Sequence, residues 1–129
     1  MKHWTEDELR AEGYIVENAK ITSVNLTMDD HGCLDFPIVI EGQGFGLIYG
    51  GYCLGKGYVG SDDFEGSAAG EEAIMRIMDT VGVDKASNLK GSYVRIARNK
   101  DGYVRIIGNI INDKWFDYES FFEDKKNEN

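Results

Sequence analysis

Nine of the sixteen glycines in this 129-residue chain fall between Gly42 and Gly66, interleaved with Phe45, Tyr49, Tyr52, Tyr58 and Phe64. Glycine admits positive φ and lets backbone approach closely, and aromatic rings offer flat apolar surface on which a base or another ring can stack. The segment therefore reads in two ways. It is either a binding surface or an irregular strand pair broken by glycine bulges, and residues elsewhere must decide.

The chain length suits one domain that buries roughly two-thirds of its unfolded surface. With 42% apolar residues, 12% aromatics and one proline, the composition is that of a folded chain rather than a disordered one. No apolar run nears the roughly 18 residues of a membrane span, and the polar start from Met1 to Arg10 lacks the basic-then-apolar layout of a signal peptide, so a cytoplasmic location is expected. Cys33 and Cys53 lie in strand-like segments without CxxC spacing and are expected to be buried, reduced thiols. The net charge of −9 is unevenly spread: residues 1–84 carry −11, residues 85–114 carry +5 and the last fifteen carry −3. An acidic chain disfavours extended DNA or RNA as a partner, while a local basic island can focus its field on a small anion.

The pattern predicts an α+β fold, an antiparallel β-sheet of five to six strands packed with one main helix and short terminal helices. Thr5 as N-cap with Glu8 three residues on forms a capping box, with Trp4 packing on Leu9 and Gly13 as the stop. A strand begins at Tyr14, and the parity change between Ile21 and Val24 places a bulge near Thr22 or Ser23. After a turn at residues 28–32, Leu34, Phe36, Ile38 and Ile40 alternate as the return strand of a hairpin, with Pro37 favouring an edge. Another strand is expected from Leu47 to Leu54, then a long loop to Gly66. Ala73, Ile74, Ile77, Met78 and Val81 recur at helical spacing between Ser67 as N-cap and Gly82 as the stop. Tyr93 to Arg98 and Tyr103 to Ile111 form a hairpin around Lys100-Asp101-Gly102. The expected single domain comprises a helix in residues 1–13, a sheet-and-helix body in residues 14–122 and a disordered polar tail in residues 123–129.

Enzyme signatures are weak. Gly50 to Lys56 fits GxxxxGK, but Gly57 stands where a phosphate loop needs Ser or Thr to hold magnesium, and no helix follows. Gly42-Gln43-Gly44 lacks the third glycine of a dinucleotide fingerprint. Histidine occurs only at positions 3 and 31, and no serine or cysteine sits in a nucleophile motif, so no enzymatic activity, catalytic residue or cofactor is expected. Asp29-Asp30-His31 and Asp62-Asp63 read as turn formers rather than metal ligands.

The basic island carries an internal echo, Tyr93-Val94-Arg95-Ile96 and Tyr103-Val104-Arg105-Ile106. A three-residue loop sets Arg95 opposite Ile107 and Ala97 opposite Arg105, which puts both tyrosines and both arginines on one face and the aliphatic residues on the other. Two guanidinium groups flanked by rings suit a phosphate and a base. The alternative is a solvated outer face with snorkelling side chains. The start of the main helix at Ser67 to Gly70 could offer amides to an anion, although Glu71 and Glu72 oppose this.

From Ile21 onward the chain resembles the phage anti-Thoeris sponge family, first type, which sequesters cyclic ADP-ribose isomers used as bacterial immune signals. The likeness rests on short pieces: Ser23 to Met28, His31 to Phe36, Gly44-Phe45-Gly46 with Gly50-Gly51-Tyr52, Met75 to Met78 leading to Val81-Gly82-Val83, Leu89-Lys90-Gly91, and Ile111 to Phe116. It implies a protomer that dimerises and assembles further into a hexamer, with pockets between protomers that hold the captured cyclic nucleotide intact in an infected bacterial cell.

The expected ligand-binding residues come from the residue reading: Arg95, Arg98 and Arg105 for phosphate, Phe45, Tyr49, Tyr52 and Tyr93 for stacking, and Gly46, Gly50 and Gly51 for close backbone approach. The competing reading, from the acidic first 84 residues, is a nucleic-acid mimic that blocks a host defence nuclease such as a CRISPR effector. A third is a phosphodiesterase acting on the same cyclic ligands.

Overall fold

The computed structural model describes residues 1–127, the side chains of Asp29 and Asp30 apart. Helix α1 (Glu6–Ala11) begins as its residues dictate, since the Thr5 side chain accepts from the Glu8 amide and the Glu8 carboxylate accepts from the Thr5 amide. Strands β1 (Ile15–Val24), β4 (Ile38–Gly42), β5 (Phe45–Tyr49), β8 (Tyr93–Arg98), β9 (Val104–Asn109) and β10 (Trp115–Asp117) make one antiparallel sheet in the order β10-β9-β8-β1-β4-β5. Four short strands, β2 (Thr27–Asp30), β3 (Cys33–Asp35), β6 (Lys56–Gly57) and β7 (Phe64–Glu65), form a second sheet. Helices α2 (Ala68–Val81) and α3 (Tyr118–Asn127) complete the fold, with a 3-10 turn at Ala86–Asn88.

The first expected hairpin divides between the two sheets. β1 pairs with β4 while β2 pairs with β3, and the bulge in β1 between Ile21 and Ser23 turns the chain where the parity change predicts. Pro37 lies at the break between β3 and β4 rather than on an edge strand, since β4 is flanked by β1 and β5. Proline lacks the N–H that a continuous ladder requires. The strand expected to reach Leu54 ends at Tyr49 instead. Gly50 and Gly51 follow with φ of 143° and 86°, a left-handed pair that a strand cannot continue through.

The large sheet buries both faces. On one, Trp4, Leu9, Ala97, Ile106 and Trp115 form a small cluster under α1. The other carries the main core, where Ile21, Ile38, Ile40, Val94, Ile96 and Ile107 meet Ala73, Ile77 and Val81 of α2 and Tyr118 and Phe121 of α3. Helix α2 sits close because residue 70 is glycine: any Cβ there would overlap the Leu54 carbonyl. Ser67 accepts from the Gly70 amide at 3.0 Å and Gly82 ends the helix at φ 94°, so both predicted boundaries hold. Beyond the helix end, the Asn109 side-chain amide donates to the carbonyls of Thr80 at 3.1 Å and Val81 at 3.2 Å, partners that a helix C-terminus otherwise lacks.

The sheet curls until β5, at one edge, approaches β9 near the other. Tyr49 spans the seam. Its ring is 1% exposed and its hydroxyl lies 3.1 Å from the Arg105 carbonyl and 3.2 Å from the Phe116 carbonyl. Asp117 works beside it, accepting from the Trp4 indole N–H at 3.0 Å and the Ser120 amide at 3.0 Å, which joins the segment before α1 to the start of α3. Helix α3 runs to Asn127, through residues 123–127 that polarity alone assigned to the tail; residues 128–129 lie outside the described residues. Its Lys125 reaches Glu72 of α2 at 3.1 Å.

The thiols expected to be free are joined in a Cys33–Cys53 disulfide with a Cα–Cα distance of 5.1 Å. Cys53 is exposed and Cys33 half-buried, so the burial inferred from strand-like surroundings does not hold. The expectation failed because Cys53 follows the glycine turn and lies outside any strand.

Burial pushes the Tyr49 hydroxyl well above its ordinary pKa, and it raises Tyr52 and Tyr118 in the same sense. The folded state thus favours neutral phenols. Their contribution is full below about pH 10, where unfolded tyrosine is also neutral, and is lost as pH rises beyond it because only the unfolded chain then ionises readily. Tyr49→Phe should cost about 1 to 2 kcal/mol at neutral pH, the worth of the seam hydrogen bond and its stranded carbonyls. The variant should also lose less stability than the parent between about pH 9 and pH 11; parallel urea unfolding curves across that range check both statements.

Candidate functional site

A cleft of about 360 Å³ opens on the seam that Tyr49 closes, lined by Leu47 to Tyr52 on one side, Gly102 to Arg105 on the other, and Tyr118. The β5 side exists because the strand stops at two left-handed glycines, which leave backbone without side chains at the cleft wall. Tyr52, next along the chain, lies nearly parallel to Tyr118 at 4.5 Å and to Phe122 at 5.1 Å, centroid to centroid. On the opposite wall the β8–β9 hairpin presents Tyr103, 65% exposed, and Arg105, whose guanidinium lies 5.2 Å from the Tyr103 ring. Arg105 Nε is 2.9 Å from a Glu119 oxygen and its Nη1 is 3.7 Å from an Asp101 oxygen. Arg105 and several rings thus line the opening, and the two carboxylates that pair with Arg105 stand outside its lining.

Five of the ten residues singled out from sequence meet here: Tyr49, Gly50, Gly51, Tyr52 and Arg105. Phe45 and Arg98 adjoin the cleft. Phe45 is two residues from Leu47 on the same side of β5, Arg98 pairs with Val104, and the Arg98 guanidinium stands 4.7 Å from the Phe45 ring while also pairing with Glu17. The buried Nε of Arg98 has no hydrogen-bond partner among the described residues. Gly46 is exposed in the middle of β5, opposite Glu41.

Tyr93 and Arg95 stand apart from this group. The hairpin register differs from the predicted one: Arg95 pairs with Gly108, Ile96 with Ile107 and Ala97 with Ile106, and a bulge precedes Arg98 opposite Val104. A loop-length argument assumes an unbroken ladder, and the bulge adds a residue on β9. Alternation along β8 sets Arg95 on the α1 side, opposite Val94 and Ile96, while the bulge places Ile106 rather than Arg105 across from Ala97 on that side. Its Nε donates to the Asn109 carbonyl at 2.8 Å, its Nη2 to the Asn112 carbonyl at 2.8 Å and its Nη1 to Glu6, with the Trp115 ring 4.6 Å away. At 12% exposure this guanidinium is a clamp on α1. Tyr93 stands on the same side, with the Lys20 ammonium 5.4 Å from its ring.

Residue reading did not select Tyr103, Tyr118 or Glu119. Tyr103 carried a signal as the counterpart of Tyr93 in the echo. The other two belong to the last strand-to-helix junction, and only the tertiary fold brings them to the seam.

A larger recess of about 750 Å³ lies on the small sheet, with Tyr58 and Phe64 in its lining. It holds Asp62, Asp63 and Glu65 against Lys56 and His31, a balance that repels anions. The seam cleft is smaller, and the charged residue in its described lining is Arg105.

Among the described residues no helix is long and apolar enough to cross a membrane. No known family, curated protein or solved structure matches the chain in sequence or fold comparisons.

The two arginines should respond in opposite ways to truncation. Arg95→Ala should destabilise the protein by roughly 2 to 3 kcal/mol, since it removes charge-assisted bonds from a part-buried site. Arg95→Lys should restore only part of that, because an ammonium cannot span three acceptors as a fork does. Arg105→Ala should change stability by under about 1 kcal/mol, as expected for solvent-facing ion pairs. Urea midpoints with unchanged slopes would confirm the ordering, and equal losses for the two alanine variants would refute it.

Proposed function

We propose that the protein is a non-enzymatic sponge that binds a small anionic cyclic nucleotide and holds it intact, in the manner expected of an anti-defence protein that removes an immune signal. The observation that carries this reading is the convergence, on one cleft, of Arg105 with the Tyr103 and Tyr52 rings and the bare Gly50-Gly51 backbone. Arginine supplies paired donors to phosphate oxygens, rings supply a stacking surface for a base, and glycine lets the ligand reach main-chain amides. The resemblance of residues 21–116 to anti-Thoeris sponges points the same way and favours a cyclic ADP-ribose isomer.

Retention without turnover is consistent with the lining. The described residues that line the cleft include no histidine, cysteine or lysine, and burial holds the Tyr52 phenol protonated, which makes it a poor base. The cleft lies at the small end of the roughly 300 to 1,000 Å³ range of ligand pockets. A single nucleotide fits it, and a larger ring needs a further wall from a second copy. Ile48, at the cleft mouth, is 70% exposed beside the 65% exposed Tyr103, which suits homo-oligomeric assembly over the seam. The total accessible surface of 7791 Å² for 14.5 kDa exceeds the roughly 6,900 Å² of a compact monomer of that mass.

Glu119 bears on affinity directly, because a ligand phosphate must displace it from Arg105. To test the reading, protein is incubated with cyclic nucleotides including cyclic ADP-ribose isomers, freed of unbound ligand and heat-denatured, and the released material is analysed by mass spectrometry. Intact ligand should be recovered, Arg105→Ala should weaken retention about ten- to a hundredfold, and Glu119→Gln should strengthen it severalfold. Release of a linearised product would show an enzyme, and no retention by any variant would refute ligand binding.

A further inference from the structure

We propose that the Cys33–Cys53 pair is a thiol–disulfide switch that sets the order of the cleft wall, a regulation that rests on the ligand-binding reading of the seam cleft. The bond ties two separate parts of the molecule. Cys33 opens β3 in the small sheet, and Cys53 directly follows Tyr52, whose ring forms part of the cleft.

The segment between β5 and β3's partner strand is unevenly held. At its downstream end, Leu54 is buried and donates to the Leu34 carbonyl at 2.8 Å, while Leu34 donates to the Gly55 carbonyl at 2.9 Å. Upstream, Gly50 and Gly51 hold left-handed backbone, and a Cβ at Gly51 would meet nothing within 4 Å. Tyr52 lies between this glycine hinge and the disulfide. The wall before the hinge is fixed by Tyr49 and by Gly50 packing on the Phe36 carbonyl, and Tyr52 itself stacks on Tyr118 and Phe122. Removing the crosslink frees the residue next to the ligand-facing ring while leaving the buried anchor at Leu54 in place.

Cys53 is exposed and Cys33 half-buried, so a small-molecule thiol reaches the bond from the Cys53 side. Its thiolate attacks Cys53 Sγ, the S–S bond breaks, and Cys33 leaves as a thiolate that takes a proton from water. A second thiolate then attacks the external sulfur of the mixed disulfide, and Cys53 leaves in turn. Two thiols supply the two electrons and depart as their own disulfide. A low-molecular-weight disulfide drives the reverse reaction. The cleft is ordered in the oxidised protein and loosened in the reduced one, so capture depends on the thiol balance of its surroundings.

The test compares oxidised protein with protein reduced by dithiothreitol, using hydrogen exchange read by mass spectrometry and retention of a cyclic ADP-ribose isomer. Reduction should speed exchange about tenfold in residues 51–53, leave Leu54, β1, β8 and β9 unchanged, and weaken retention about tenfold. A Cys33→Ser/Cys53→Ser double variant should match the reduced protein; if it does not fold, the reduced parent carries the comparison. Equal exchange and equal retention in both redox forms overturn the switch and leave the binding site standing. Faster exchange with unchanged retention also overturns it, because the wall then moves without affecting the ligand. Faster exchange with no retention in either form overturns the ligand reading while preserving the coupling of crosslink and wall.

Discussion

The buried Tyr49 phenol bridges the two sides of this sheet. Strands β5 and β10 stand at opposite ends of the hydrogen-bonded order, and no ladder joins them. The Tyr49 hydroxyl faces carbonyls of β9 and β10 across the gap. Because one O–H serves two acceptors, the seam is satisfied without being zipped, and it stays open enough for a cleft. Full pairing along β5 would have closed the opening. The left-handed glycines that end the strand therefore matter as much as the tyrosine, since they stop the pairing and bend the chain away.

Much of the fold was legible in local chemistry. The Thr5 capping box, the bulge near Ser23, the Ser67 and Gly82 limits of α2 and the β8–β9 hairpin all arise from interactions within a few residues, which sequence patterns report faithfully. The division of the first hairpin was harder to read because Leu34, Phe36, Ile38 and Ile40 alternate straight through Pro37 with no change of parity. The disulfide was unreadable for a different reason. Cys33 and Cys53 meet only because β3 and the segment after the glycine turn are brought together by the small sheet, and their spacing carries no signature.

The site was half legible. Selecting glycines among rings found Tyr49, Gly50, Gly51 and Tyr52, and seeking guanidinium groups found Arg105. The same rule also chose Arg95, since a sequence cannot distinguish an arginine that lines a cleft from one that clamps a helix. What separates them is tertiary: Arg95 meets two carbonyls, a carboxylate and a ring on the α1 side, whereas Arg105 meets two carboxylates and the Tyr103 ring. Exchangeable counter-ions mark the second as available to another anion. Backbone carbonyls fixed in the fold do not.

The most direct measurement is the side-chain Nε–H NMR signal of each arginine during titration with a cyclic ADP-ribose isomer. The account predicts that the Arg105 signal shifts together with the Gly50 and Gly51 amides while the Arg95 signal stays in place. Shifts centred on Arg95 and Tyr93 with Arg105 unmoved would place the ligand on the opposite face of the sheet and contradict the account.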